Sequence, residues 1–269
     1  MELKSSKSLA VTSKRSLTSL EITSQKYHDI FDFKLTKEEL FKWQYKNLKE
    51  TTTGVKNKSR LQREKYSRKK LLIAKRVGKI LEKIPTIKFV GITGALAMNN
   101  ASKNGDIDLM IITKSGYLWI TRLISYIFIL LAGFKIRSPR KMSEKDKLCL
   151  NMWFDENYLV WDRKDRNIYT AHEIAQVIPI VNKDETYEKF LSKNNWVLQF
   201  WPKAVEIKKI KDNFSISNQN ILVGALERVV FKLQFLYMKS KMTREVVALR
   251  RAVFHPNDWG KVVLDKLST

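Results

Sequence analysis

The alternation of apolar and polar positions divides this chain into a helical start, a middle that combines strands with helices, and a helical end. Apolar residues recur at helical spacing among lysines from residue 59 to residue 84, and Pro85 ends that pattern, so a long basic helix is predicted. Short apolar runs follow it, of which the first two are rich in β-branched residues, and such runs predict buried strands. The predicted strands are 86–93, 106–113 and 148–154, with 157–163 as a candidate fourth.

One apolar segment, from Tyr117 to Phe134, is long enough to raise the question of a membrane span. It falls short of the ~20 continuous apolar residues that a span needs, and it contains Thr121, Arg122 and Ser125. We therefore interpret it as a buried helix between two strands, and we expect no stable insertion into a membrane.

Helices are predicted both before and after the strands along the chain, which indicates the α+β class. Thr36 and Glu39 have the spacing of a capping box, and so do Thr170 and Glu173 near the start of the helical end. The first residues are rich in Ser, Thr and Lys and bury too few apolar groups to offset the entropy of ordering. The chain is thus divided into a disordered basic tail at 1–22, a small helical module at 23–58, a mixed α/β domain at 59–168 and a helical lobe at 169–269.

The chain has a large excess of positive charge, and such an excess attracts polyanions. The 269 residues include 51 Lys and Arg against 27 Asp and Glu, which gives a formal charge of +24. Between residues 51 and 90 there are thirteen basic residues and two acidic ones, so the predicted basic helix carries much of the excess. Such a stretch is typical either of a solvated helix face or of a surface for nucleic acid, and both interpretations stay open.

The rare residue types exclude two classes of protein. A lone cysteine, Cys149, rules out an intramolecular disulfide framework, and one cysteine with three scattered histidines is too few for a structural zinc site. No apolar signal-peptide segment follows the basic N-terminus, so we expect a cytoplasmic protein.

His172 falls in a predicted helix, where an ordinary packed or surface residue is the simpler interpretation.

Two carboxylates at the head of the second predicted strand are the main chemical feature. Side chains alternate in a strand, so Asp106 and Asp108 project together while Ile107 and Leu109 point the other way. Unpaired carboxylates repel each other, and a hard divalent cation such as Mg²⁺ or Mn²⁺ removes that cost by accepting oxygen ligands. The alternative interpretation is two aspartates that merely cap a solvent-exposed strand end.

A glycine turn completes this motif. Gly94 follows the first predicted strand and permits a tight turn into a helix with free backbone amides, twelve residues before Asp106. A strand, a glycine turn and D-x-D on the next strand resemble the nucleotidyltransferase superfamily typified by DNA polymerase beta. The segments TGALAMNNASKNGDIDLMIIT, LCLNMWF and YTAHEIAQVIPI are also similar to a group of prokaryotic nucleotidyltransferase-domain proteins, and DIFDFKLTKEEL resembles their N-terminal, winged-helix-like segment.

The resemblance implies both a fold and an activity. Residues 59–168 would form a nucleotidyltransferase-like domain with a small mixed sheet. The protein would transfer a nucleoside monophosphate from a nucleoside triphosphate to an acceptor hydroxyl, with Asp106 and Asp108 as catalytic residues that hold Mg²⁺ or Mn²⁺. The residues that would bind the nucleotide are Gly94, Ala95 and Lys103.

Two positions depart from the superfamily pattern. Ala95 replaces the serine whose hydroxyl would contact a phosphate, and Asn151 falls where a third carboxylate is expected. Asp155 is a poor substitute, because it comes four residues later at the other end of the strand. A second hypothesis is therefore an inactive descendant that binds RNA or DNA through its basic N-terminal half. A third is a membrane-surface or protein-partner role for the apolar segment.

Overall fold

The computed structural model describes residues 23–52, 54–137, 144–208, 220–240, 242, 246–254 and 258–268, so the predicted tail at 1–22 lies outside the described residues. The strands in these residues are β1 (Ile87–Ile92), β2 (Ile107–Thr113), β3 (Leu148–Asp155), β4 (Ile178–Asn182), β5 (Val246–Ala248) and β6 (Arg251–Val253). The α-helices are α1 (Ser24–Asp29), α2 (Lys37–Lys42), α3 (Lys58–Leu81), α4 (Gly94–Ala97), α5 (Leu118–Leu131), α6 (Ile168–Ala175), α7 (Thr186–Lys193), α8 (Ile221–Lys239) and α9 (Trp259–Ser268).

The strands form one mixed sheet in the order β4-β1-β2-β3-β6-β5. β2 and β3 are parallel, and the other neighbouring strands are antiparallel. This sheet with its helices confirms the α+β class. The predicted strands at 86–93, 106–113 and 148–154 are confirmed as β1, β2 and β3, and the predicted basic helix is confirmed as α3.

Three strands come from the C-terminal part of the chain, which the sequence predicted to be helical. β4 lies beside β1 at one edge of the sheet, whereas β6 and β5 extend the sheet beyond β3. The other described residues of this part are mainly helical, as expected. Strands of three to five residues are too short to show a period of two, so the sequence pattern did not reveal them. Residues 59–168 and 169–269 therefore share one sheet.

The candidate fourth strand at 157–163 is not a strand. Its alternation is present, because Leu159 and Trp161 are buried in the core. The backbone, however, pairs with a buried side chain instead of a neighbouring strand. Asn194 accepts a hydrogen bond from the Trp161 amide (2.9 Å) and donates to the Leu159 carbonyl (2.8 Å). One asparagine thus satisfies the groups that a sheet ladder would otherwise pair.

The apolar helix α5 is buried on one face only, whereas the sequence predicted a buried helix. Trp119 and Ile129 are fully buried against the sheet, but Ile127, Leu130 and Leu131 are exposed. The carboxylate of Glu227 in α8 accepts hydrogen bonds from the first amides of α5 and so caps its N-terminus. Among the described residues, none of the helices combines the length and the hydrophobicity that crossing a bilayer would take.

The two faces of the sheet have different coverings, and this difference positions the site. One face packs against α3 and α5 through buried residues of α3 such as Val77. The other face is covered by the N-terminal module, α6, α7 and α9, with the large rings of Trp43 and Trp201 in its core. In β2, Ile107, Leu109 and Ile111 belong to the first face. Side chains at the alternate positions of β2 therefore point toward the N-terminal module and α6.

Candidate functional site

Asp106 and Asp108 lie at the start of β2 and project toward the face covered by α6 and the N-terminal module. Asp106 is neutralised by an arginine that the sequence analysis did not single out. The Arg137 guanidinium donates to Asp106 Oδ2 over 2.9 Å and also forms an ion pair with Glu144. Its position follows from the segment before β3, because the Arg137 amide donates to the Leu148 carbonyl. A cation thus already balances one of the two carboxylates.

Asn151 lies directly beside Asp108. Its Nδ2 donates to Asp108 Oδ1 over 2.8 Å, so the predicted third position does face the pair. An irregularity in the β2–β3 pairing, between Asp108 opposite Cys149 and Met110 opposite Met152, gives β3 one extra residue here. Asn151 is only 7% exposed, and its Oδ1 has no hydrogen-bond partner among the described residues. A buried acceptor without a donor is costly, which marks this oxygen as a group that a ligand would satisfy.

Gly94 makes room for the carboxylate of Asp108. Its φ of +61° is in the left-handed region that favours glycine. A Cβ at this position would lie 2.5 Å from Asp108 Oδ2, which is closer than real contacts allow. The adjacent Thr93 amide donates to the Asp108 carbonyl and ties the turn to β2. The glycine that the motif predicted is therefore required by close approach as well as by backbone conformation.

A buried lysine of α3 holds the turn that leads to Asp106. Lys70 is almost fully buried, and its ammonium donates to the Gly105 carbonyl over 2.7 Å and to the Asp146 carboxylate over 2.6 Å. This contact joins the basic helix to both segments that flank the site. Part of the positive charge of α3 is therefore structural.

The two aspartates, Arg137, Asn151 and Gly94 line one pocket of about 410 Å³, a volume within the range of small-molecule sites. The pocket lies between the start of β2, Arg137 in the segment before β3, and α6. The polar side chains that line it include those of Asp106, Asp108, Arg137, Asn151 and Glu173, and Gly94 contributes backbone.

Glu173 is the site residue that the sequence analysis misassigned. The predicted capping box of Thr170 and Glu173 is wrong, because α6 begins earlier, at Ile168, with Asn167 as its N-cap and Thr170 as the reciprocal partner. Glu173 is not part of the cap but lines the pocket, where it accepts a hydrogen bond from Gln176 Nε2 over 2.5 Å. A competing N-cap three residues upstream was the sequence signal that could have revealed this.

Burial favours the protonated forms of Asp108 and Glu173. Burial and then the charge of Asp106 raise the pKa of Asp108 to about 7, while Cys149 and Arg137 offset part of that shift. Burial and then the charge of Asp108 raise the pKa of Glu173 to about 8. A divalent cation at the site would therefore displace protons, and its affinity would increase with pH.

Comparisons with known proteins do not assign the site. No model of a known protein family matches this sequence, and no curated protein matches it. The function is therefore inferred from the geometry of the pocket.

The side chains fit a hard divalent cation. Asp106, Asp108 and Cys149 place one potential ligand atom each within 4.8 Å of one another, and Asn151 adds its unpartnered oxygen. Burial raises the pKa of the Cys149 thiol above its usual range, so the thiol stays protonated and is a poor ligand. The remaining donors are oxygens, which Mg²⁺ and Mn²⁺ prefer.

Asp155 and Lys103 lie away from the pocket. Asp155 is fully buried at the far end of β3, where its carboxylate accepts from the Gly116 amide (2.7 Å) and pairs with Arg250 (2.8 Å). It therefore holds a turn and does not substitute for a carboxylate at Asn151. Lys103 is exposed in the turn before β2 and does not line the pocket, whereas Ala95 does.

His172 forms part of the pocket wall as a neutral core residue. Its Nε2 lies 3.2 Å from Nε2 of His28, and Trp43 stacks on its ring. Burial lowers the pKa of His28 to about 4 and that of His172 well below the usual value. Because His28 Nδ1 donates to the Ser24 carbonyl, its Nε2 accepts from His172. The pair packs the N-terminal module onto α6, in line with the simpler interpretation from the sequence.

Proposed function

We propose that this protein is a nucleotidyltransferase of the DNA polymerase beta type, which transfers a nucleoside monophosphate from a nucleoside triphosphate to an acceptor hydroxyl. The observation that carries the proposal is that Asp106, Asp108 and Asn151 line one pocket, where the side-chain oxygen of Asn151 has no partner among the described residues. Two aspartates that only capped a strand end would have neither a close-fitting glycine turn nor an orphaned buried acceptor beside them.

Asp106, Asp108 and Asn151 Oδ1 would hold Mg²⁺ or Mn²⁺ in this proposal. When bound, such a cation neutralises the negative charge of the triphosphate and of the leaving pyrophosphate. The protein's own contribution is a set of oxygen donors fixed on two adjacent strands, so little rearrangement is needed at the moment of reaction.

Arg137 and the Gly94 turn would position the nucleotide. The guanidinium of Arg137 already contacts a carboxylate, and its planar donors suit phosphate oxygens equally well. Gly94 and Ala95 line the pocket, and their backbone amides would contact phosphates without the usual serine hydroxyl. The acceptor hydroxyl would then attack the α-phosphorus opposite the departing pyrophosphate.

Transfer of label from the α-phosphate tests the proposal. Nucleoside triphosphates labelled on the α-phosphate, incubated with Mn²⁺, the protein and total RNA or protein, should leave label on an acceptor. The same donors labelled on the γ-phosphate should release it as pyrophosphate. We expect Asp106→Asn to reduce transfer by roughly 100-fold or more, because it removes a charged ligand from the reacting centre. No transfer from any of the four common ribonucleotide donors would contradict the proposal.

A second candidate function is nucleic-acid binding, and the exposed face of α3 favours it. Arg60, Arg63 and Lys70 turn inward and bind the N-terminal module or the turn before β2. The other basic residues are exposed and have no acidic side chain within ion-pair distance among the described residues. We call these residues the α3 stripe. They are Lys58, Lys65, Arg68, Lys69, Lys75, Arg76 and Lys79 on α3, together with Lys83 just after its end.

The salt dependence of binding distinguishes the α3 stripe from an ordinary solvated face. A triple change of Lys69, Arg76 and Lys79 to glutamine should weaken binding to single-stranded RNA and lower the slope of log affinity against log salt by about 2 to 3 units. The matched control changes the exposed lysines Lys49, Lys164 and Lys261, which lie elsewhere. Equal effects of both triple changes would show that only net charge matters.

A further inference from the structure

Nucleotide transfer leaves one proton without an acceptor. The attacking hydroxyl must lose its proton, and the amide at Asn151 cannot take it. Asp155 is ion-paired with Arg250 at the far end of β3, and Asp162 is an exposed partner of Arg251 outside the pocket. Besides the two aspartates, the described lining of the pocket contains one further carboxylate, that of Glu173.

Helix α6 turns one face toward the pocket. Tyr169, His172, Glu173 and Gln176 line it, and their spacing of three and four residues is that of a single helix face. The opposite face is fixed in the core, where Ala171 and its neighbours are buried. Glu173 therefore has a defined position across the pocket from the sheet.

One oxygen of Glu173 is free to accept a proton. Gln176 Nε2 donates to Oε1, whereas Oε2 has no donor among the described residues. Asn151, whose Oδ1 is also without a partner, lines the same pocket from β3 and is more than nine-tenths buried. Two unpartnered oxygens on opposite walls indicate that a ligand with donor groups belongs between them.

We propose that Glu173 is the general base of the transfer reaction, a role that rests on the proposed function. The O–H bond of the acceptor breaks and its proton passes to Glu173 Oε2 as the hydroxyl oxygen forms its bond to the α-phosphorus. The bond between the α-phosphorus and the bridging oxygen breaks, and pyrophosphate leaves with that electron pair. The third carboxylate of this site thus comes from α6 rather than from β3.

The charges around Glu173 make its ionisation depend on the occupancy of the site. The other titratable side chains of the pocket come from several elements. They are Asp106 and Asp108 at the start of β2, Cys149 in β3, Arg137 before β3, Tyr27 and the neutral His28 in α1, and Tyr169 and the neutral His172 in α6 itself. Burial and Asp108 raise the pKa of Glu173 to about 8. A divalent cation that neutralises Asp108 would lower this pKa and prepare the carboxylate to accept a proton.

Glu173→Gln tests the assignment, with Asp162→Asn as the matched control outside the pocket. Glutamine is close in shape to the protonated glutamate, so the variant should fold, and thermal unfolding checks this. We expect Glu173→Gln to bind Mn²⁺ and a non-hydrolysable nucleoside triphosphate within about threefold of the parent, and to transfer label roughly 100-fold more slowly or worse. With Mn²⁺ saturating at every pH, the rise of the transfer rate with pH should also disappear.

Infrared difference spectra provide a readout independent of activity. Between pH 6 and pH 9, the metal-free parent should lose a carboxylic-acid band that Glu173→Gln lacks and Asp162→Asn retains. Absence of that titration in the parent, or unchanged transfer and pH dependence in Glu173→Gln, would overturn the role of Glu173 alone. Loss of Mn²⁺ binding in Glu173→Gln would make it a metal ligand and also overturn the role. Absence of transfer by the parent would overturn both proposals.

Discussion

Replacing Asp108 by asparagine should stabilise the metal-free protein while it removes cation binding and nucleotide transfer. Burial and the neighbouring Asp106 raise the pKa of Asp108 from 3.8 to about 7, so the fold disfavours the ionised carboxylate. Asparagine is neutral and can still accept the hydrogen bond from Asn151 Nδ2. The substitution therefore removes a destabilising charge together with a proposed metal ligand.

The stabilisation by Asp108→Asn should depend on pH in a defined direction. Because the folded-state pKa is raised, the carboxyl contributes its full stability below about pH 4, and this contribution is lost as the pH rises toward and through 7. Asparagine should thus change stability little at pH 4 and most at pH 8 and above. One pKa unit corresponds to about 1.4 kcal/mol, and partial solvent access reduces the effect, so we expect roughly 2 kcal/mol at pH 8.

Thermal unfolding at pH 4 and pH 8 without divalent cations measures this stability difference, and calorimetry measures Mn²⁺ affinity. The control, Asp265→Asn, removes an exposed carboxylate on α9 and should change neither. Destabilisation by Asp108→Asn at pH 8 would favour the alternative in which the aspartates cap a strand end. Stabilisation with loss of Mn²⁺ binding is the pattern of a functional carboxylate held at a cost to the fold.

Replacing Gly94 by alanine should disrupt the site through one added methyl group. The new Cβ would lie 2.5 Å from Asp108 Oδ2, so either the turn or the carboxylate must move. We expect Mn²⁺ affinity to fall by roughly tenfold or more, as when the support of a metal ligand is lost. Positive φ adds about 1 kcal/mol of backbone strain, and the contact adds to it.

Gly133→Ala separates the contact from the backbone strain. Gly133, which follows α5, has a φ of +79°, and a Cβ there would meet nothing within 4 Å. Both variants therefore suffer strain at positive φ, but only Gly94→Ala touches Asp108. Urea unfolding and Mn²⁺ calorimetry should show a modest loss of stability for Gly133→Ala with normal affinity. An equal loss of affinity in both variants would refute the proposed role of Gly94.

Features that depend on neighbouring residues could be predicted from the sequence. β1, Gly94 and the aspartate pair of β2 lie within a short stretch, and alternation alone places Asp106 and Asp108 on the same side of the strand. The capping box of Thr36 and Glu39 was also predicted and is present. Such features are determined by backbone conformation and local hydrogen bonds, so their residue patterns appear directly in the sequence.

Features that depend on pairing between distant segments were decided by the tertiary structure. The contact between Asn151 and Asp108 requires the parallel pairing of β2 with β3, and Arg137 reaches Asp106 only because its backbone pairs with Leu148. Glu173 lines the pocket from within α6, which begins at Ile168 with Asn167 rather than Thr170 as its N-cap. Both starts satisfy the rules of helix capping, and packing of α6 against the sheet and Trp201 selects between them. The local sequence pattern is compatible with either start of α6, and only the packing energy of the assembled core distinguishes the two.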